Sequence, residues 1–513
     1  MEYDYVIVGA GSAGCVLAGR LSADPSVSVA LVEAGGRDDK LEIRMPLGFP
    51  KLFKTPYDWN FTTAKQGEMA GRELYWPRGR VLGGSSSMNA QMWVRGCALD
   101  YDQWQVPGWG YEDVLPYFRK AERRVGSNHG GVYGSSGPLF ISELRSPNPT
   151  TAAFLKACEE LGLRRLEELN GSSNEGFGPT PVTQDRGRRW SAADAYLRPA
   201  RKRPNLTVIT EAAVERVVIE DGRAVGVEHS GGTRITARRE VILSAGAIGS
   251  PYLLMRSGIG PGDELRDAGV PVVRDLPEVG RNLQDHLTSG LMVTCPRPVT
   301  LTRAESITNL LRYLVFRSGM LTSNVGEAVA FIRTTPEEPA PDIELIFAPV
   351  PFKDHGLTPP DQHGITVGVV LLQPESRGRI GLNGRDVVID PAYLTSEADL
   401  RRLTAGLKTA KQVLATNAMK PYAGGALPPY LIPETDEEMA QYVRERAETL
   451  YHPAGTCRMG TDEASVVDPE LRVRGVAGLR VADVSIMPTL NRGHTHAPAV
   501  MIGEKAADLI ARS

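Results

Sequence analysis

At 513 residues the chain is too long for one ordinary core, so two large domains are expected. Apolar content of 42% and charged content of 23% are those of a globular chain, and a formal net charge of -3 gives no electrostatic case for nucleic acid or an anionic membrane. Five scattered cysteines, Cys15, Cys97, Cys158, Cys295 and Cys457, form no C-x-x-C, and no run of about 18 apolar residues is present to span a bilayer.

The odd cysteine count argues against a disulfide framework and suits a reducing, cytoplasmic setting. The opening "MEYDYVIVGAG" reads directly as a buried strand over Tyr5–Val8, so no cleavable signal segment is expected. This strand runs into "GAGSAG", which places Gly9, Gly11 and Gly14 on the G-x-G-x-x-G spacing with Ser12 and Ala13 between them. A helical pattern follows, and the second strand, "SVALVEAGG", carries Glu33. Gly9 permits a tight turn, Gly11 lets backbone approach a pyrophosphate, and Gly14 lets the helix pack on the strand. The helix start faces the phosphates and Glu33 accepts from an adenosine ribose. The motif alone fits NAD or FAD.

From Gln66 to Gly110 the chain is Gly-rich and loop-like. Residues 151–161 have helical periodicity. Residues 206–230 read as strands, two of them joined by Asp221-Gly222, a hairpin signal. The run 239–260 reads as strand, Gly-rich turn and helix. Between 290 and 445 the character changes. Strands are predicted in "PDIELIFAPV" and "GITVGVVLLQP", and a helix in "EADLRRLTAGLKTAKQVLA". A late strand, "GLRVADVSIMPT", brings in Asp483. The last stretch, "NRGHTHAPAV", sets His494 and His496 one residue apart before a helix expected to start at Pro498. In an extended segment these two would share a side. His-x-His is also a metal-ligand pattern, but no acid or cysteine cluster near it completes a site, so no metal is expected.

Taken in order, "GRVLGGSSSMNAQMWVRGCALDYD", "GAIGSPYLLMRSGIG", "VGRNLQDH" and "YHPAGTCRMG" resemble the signatures of the glucose-methanol-choline family of FAD-dependent oxidoreductases. The resemblance covers essentially the whole chain. It implies a fold of mixed α/β and α+β class: a Rossmann-like FAD-binding domain plus a substrate domain with an antiparallel sheet and flanking helices. The expected FAD domain is discontinuous, 1–145, 186–292 and 450–513, with 146–185 and 293–449 forming the substrate domain.

Carried over position by position, the resemblance implies that Gly9, Gly11, Ser12, Ala13, Gly14 and Glu33 hold the ADP half and that Val214 meets adenine. Val81, Gly84, Asn89 and Met92 would line the flavin end, Asp483 the ribityl-pyrophosphate region, and His496 the pyrimidine end. Met88 stands where some members carry a linking histidine, so noncovalent FAD is expected. The implied reaction oxidises a small alcohol to an aldehyde or ketone, with O2 or another carrier as acceptor. His452 would be the base and His494 would hydrogen-bond the substrate oxygen. His286 is expected to buttress structure. A redox-neutral alternative, a flavin-containing lyase of the hydroxynitrile lyase type, stays open.

Overall fold

The computed structural model describes residues 1–512. Its principal elements, in chain order, are β1 (Glu2–Val8), α1 (Ser12–Leu21), β2 (Val29–Val32), β3 (Gly176–Pro179), β4 (Leu206–Ile209), β5 (Val214–Glu220), β6 (Arg223–His229), β7 (Thr233–Leu243) and α2 (Gly246–Arg256). They continue with β8 (Leu287–Thr294), α3 (Ile307–Phe316), β9 (Ala328–Ile332), β10 (Ile343–Ala348), β11 (Gly364–Leu371), α4 (Glu397–Ala415), α5 (Asp436–Arg446), β12 (Glu448–Thr449), β13 (Leu479–Val481) and α6 (His496–Arg512).

The first sheet has the order β4-β2-β1-β7-β6-β5, with β13 beside the end of β7. Its β4, β2, β1, β7 and β13 are parallel. The strand ends that feed this parallel part are continuous apolar runs such as Tyr5–Val8, buried on both faces, as parallel strands require. The antiparallel margin is a meander in which Asp221 and Gly222 take φ of 48° and 74°, the left-handed pair that a tight hairpin needs. Helix α6 lies close against α1. A Cβ on Gly503 would stand 2.8 Å from the Cβ of Val16, so only glycine allows this approach.

The second sheet is antiparallel throughout, in the order β12-β8-β11-β10-β9-β3. Helix α4 covers it, burying Leu403, Leu407 and Ala410, with Gly406 set down on Val369 and Ile343. The strands of the two sheets interleave along the chain. Strand β8 pairs along Thr288–Thr294 with β11, so the expected division at 292/293 falls inside it. The buried apolar run Leu291–Val293 crosses that point, which is why no break is formed there. The expected strand at "GLRVADVSIMPT" is short for a different reason: Asp483 accepts from Ser485 N at 2.8 Å and turns the chain into a 3-10 turn, Val484–Ile486.

Candidate active site

One cavity of about 880 Å³ opens between the two sheets. Its wall includes Gly9, Gly11, Ser12, Ala13, Glu33 and Val214 at one end. Gly9 has φ of 96°, and a Cβ there would meet Ser244 O at 2.6 Å. Gly11 caps α1 without a side-chain hydrogen bond, which leaves the first N–H groups of the helix free to donate to an anion. Gly14 is not part of the wall. It is buried inside α1, where a Cβ would stand 1.9 Å from Gly9 O. Glu33 accepts from Ala10 N and Gly35 N, both at 2.8 Å, and burial pushes its carboxyl up to about 7. Asp483 also reaches the wall and accepts from Gly246 N at 2.9 Å, at the start of α2.

Toward the other end the wall carries Gly84, Met88, Asn89 and Met92. Gly84, with φ of 53°, lies directly on Gly11; a Cβ would be 2.7 Å from the Gly11 Cα. Val81 departs from expectation. It is not on the wall but packs with Ile43, Phe49 and Leu52, while its backbone bridges to Gly36. Its apolar side chain is spent on the core behind the loop.

His452, His494 and His496 all reach the cavity. Tyr451, the residue before His452, has φ of 68°, a strained value for a non-glycine. Buried Asp285 holds this bend by accepting from His452 N at 2.7 Å and from Thr449 Oγ1 at 2.6 Å. His286 then meets the His452 ring, Nδ1 to Nδ1 at 2.9 Å, and its own Nε2 lies 3.1 Å from Leu372 O. Burial, and after it the charge of His494, pushes His286 down to about 3, so it is neutral. A carbonyl oxygen only accepts, so the His286 proton is on Nε2 and its Nδ1 is bare. His452 must therefore donate from Nδ1, which leaves a lone pair on His452 Nε2. Burial, His494, His286 and Arg78 together hold His452 well below the usual imidazole range.

The rings of His452 and His494 stand edge to face, with centroids 4.9 Å apart. His494 Nε2 lies 3.0 Å from Glu344 Oε1, and Glu344 is fully buried with no partner on Oε2. Helix α6 begins at His496 rather than Pro498, because the His494 and Thr495 carbonyls already accept from Ala497 N and Ala499 N. That turn gives the two histidines separate partners. His496 Nδ1 meets Ser12 Oγ at 2.9 Å, and its ring stands edge-on to Trp93. Burial pushes His496 down to about 3.

Sequence reasoning missed Asp285, Glu344 and Arg78, and it gave His286 a merely structural part. The signal for Glu344 was an acid inside the apolar run "IELIF", since acids are seldom fully buried without a partner. Arg78 lines the cavity with Nε and Nη2 buried and unpartnered, and His496 Nε2 is likewise unpartnered. Buried donors left open on a wall with a bare helix start fit a polar, many-acceptor ligand such as FAD. Among the described residues no group of His, Cys, Asp and Glu is arranged to hold a metal ion.

Family models described as GMC oxidoreductase match residues 3–288 and 374–503. An uncharacterized GMC-type oxidoreductase of Mycobacterium tuberculosis is 52% identical, over 99% of both chains. An alcohol dehydrogenase (acceptor) of Pseudomonas putida is 43% identical, over 99% of this chain and 96% of its own. Among solved structures, pyridoxine 4-oxidase from "Mesorbium loti" superposes with a TM-score of 0.91 at 34% identity, covering 100% of this chain and 99% of its own.

Proposed function

The chain belongs to the GMC oxidoreductase family and is an FAD-dependent oxidoreductase, and we propose that it oxidises an apolar alcohol to an aldehyde or ketone. The observation that carries this reading is the pair of histidine rings 4.9 Å apart on the cavity wall, one with a bare nitrogen and one against a buried carboxylate.

His452 Nε2 accepts the alcohol O–H proton. A base must be unprotonated at working pH, and burial keeps this ring so. His494 supplies the hydrogen-bond partner of the substrate oxygen, its ring held through Nε2 by buried Glu344, whose single side-chain partner it is. FAD, when bound, supplies the two-electron oxidant that takes the hydride from the carbinol carbon. Gly11, Ser12 and Ala13 would hold its pyrophosphate, Glu33 its ribose and His496 its flavin end, with Met88 leaving it noncovalent. O2 or another carrier would accept the electrons.

One apolar part of the remaining wall supports a substrate class. Phe49, Phe53 and Phe352 group there, with Phe49 5.9 Å from Phe53 and 6.3 Å from Phe352, and Val325 and Ile346 complete an apolar lining. This favours an aryl or alkyl alcohol over a sugar. The test is anaerobic titration of the yellow holoenzyme with benzyl, n-alkyl and sugar alcohols. Bleaching by the apolar alcohols is expected. Turnover without bleaching would instead support the redox-neutral lyase, and bleaching by sugars alone would overturn the substrate class.

A further inference from the structure

Of the twelve large apolar side chains that stand exposed among the described residues, six lie on one ten-residue helix, α3. Ile307 is 79% exposed, Leu310 37%, Leu311 57%, Leu314 52%, Val315 67% and Phe316 67%. The first five follow the i, i+3, i+4, i+7, i+8 pattern of a helix face that normally meets a core. Here that face points outward. The helix is anchored from its other side, where buried Tyr313 packs with Met45, Leu301 and Leu321 and donates to Arg44 O at 3.2 Å. Ser306 caps its start by accepting from Asn309 N at 3.3 Å. An apolar ridge this dense differs from scattered surface hydrophobicity and has the form of an interaction site.

Charge decides what docks there. Residues 301–320 carry three arginines, Arg303, Arg312 and Arg317, and a single acid, Glu305, which pairs with Lys51 at 2.9 Å. The three arginines are exposed, and α3 itself contains no acid. A helix of ten residues is a ridge about 15 Å long. A second copy would need a broader surface, about 800 Å² per partner. In a two-fold dimer the ridge would also gather six arginines with no acid of the helix to meet them. A lipid interface suits both properties, since apolar side chains enter the acyl boundary while arginines reach the headgroups.

We propose that α3 docks on the surface of an anionic lipid bilayer, with Ile307, Leu310, Leu311, Leu314, Val315 and Phe316 inserted and Arg303, Arg312 and Arg317 on the headgroups. The contact is peripheral, since among the described residues no helix is long and apolar enough to cross a membrane. The net charge of -3 does not oppose it, because lipid headgroups respond to charge within about one Debye length, some 8–10 Å, of the surface. The ridge is also near the site. Leu47 and Val350 pack both on the cluster under α3 and on the cluster of Phe49, Phe53, Val325 and Met88 that borders the cavity.

The test is co-sedimentation of the holoenzyme with vesicles of phosphatidylcholine alone and of phosphatidylcholine mixed equally with phosphatidylglycerol. Binding to the mixed vesicles, reduced by salt, is expected, with little binding to phosphatidylcholine alone. The triple variant Leu311→Ser, Leu314→Ser, Val315→Ser should lose binding by about tenfold or more. Arg312→Gln with Arg317→Gln should weaken it less and flatten its salt dependence. FAD content and alcohol-driven bleaching monitor folding, and both should stay unchanged because these side chains are exposed. No binding to mixed vesicles, or binding indifferent to both variants, overturns the proposal. So does a concentration-dependent dimer in sedimentation velocity that the triple variant abolishes, which would assign the ridge to a second copy.

Discussion

His452 is gripped twice, at its backbone N–H by Asp285 and at its ring by His286, and both grips come from the same "NLQDH" stretch. Replacing the ring by His452→Ala is expected to slow anaerobic flavin reduction by about 10²–10⁴ while FAD stays bound. Stopped-flow absorbance checks this, and near-normal reduction would remove His452 from the mechanism. The pH dependence follows from sign. His452 works unprotonated, and its pKa is held well below the ordinary 6.5, so activity is present above the lowered value and is lost as pH falls through it. The acid limb should therefore lie below pH 6.5, and a limb at or above that value contradicts the buried, neutral ring. Glu344→Gln makes a separate prediction. Without the carboxylate the His494 ring loses the partner of its Nε2, so reduction should slow on the order of 10²-fold. A wild-type rate of reduction in this variant would mean that Glu344 serves packing alone.

At the scale of elements, the junction of α1 and α6 shapes the end of the cavity proposed to hold the nucleotide. Their first turns meet where Ser12 Oγ contacts His496 Nδ1, and Gly503 lets the helices close together behind that contact. Gly503→Ala puts a Cβ 2.8 Å from Val16 Cβ and 3.0 Å from Ala13 O. Overpacking of this kind costs about 1–3 kcal/mol. The expected outcome is a lower melting temperature and a reduced FAD-to-protein ratio, with reduction per retained flavin little changed. Wild-type values for both melting and FAD content would show that the helices have room to spare. The same junction shows how element boundaries escape the sequence. Pro498 marks a first turn but not its first residue. The helix starts at His496 because the His494 and Thr495 carbonyls accept ahead of the proline.

For the whole molecule, the cavity lies between two sheets whose strands come from interleaved segments, so a ligand that fills it joins distant parts of the chain. FAD that binds only the folded state should stabilise it by about 2.7 kcal/mol at a free concentration one hundred times its dissociation constant. Stripping FAD should lower the melting temperature, and adding it back should restore the original value. Met88, buried on the wall, has no N–H, O–H or S–H to give up in a neutral covalent linkage, so acid or heat should release all the yellow colour as free FAD. Colour remaining with the precipitate would disprove noncovalent binding.

Local chemistry was enough to make the first strand, glycine turn and helix legible in the sequence. The strand, glycine turn and helix of residues 5–21 are adjacent in the chain, and glycine spacing there is imposed by backbone contacts such as Gly14 against Gly9 O. The helix Glu397–Ala415 and the Asp221-Gly222 hairpin were legible for the same reason, since period and turn chemistry act over a few residues. Proton inventory was not. Which nitrogen of His452 is bare depends on His286, 166 positions away, and on Leu372 O. The ring of His494 is held by Glu344, 150 positions away. The outward turn of α3 was equally invisible, because an apolar helical face reads the same whether it meets a core or a bilayer. Burial and hydrogen-bond partnership are properties of neighbours in space, and only the tertiary structure decides who those neighbours are.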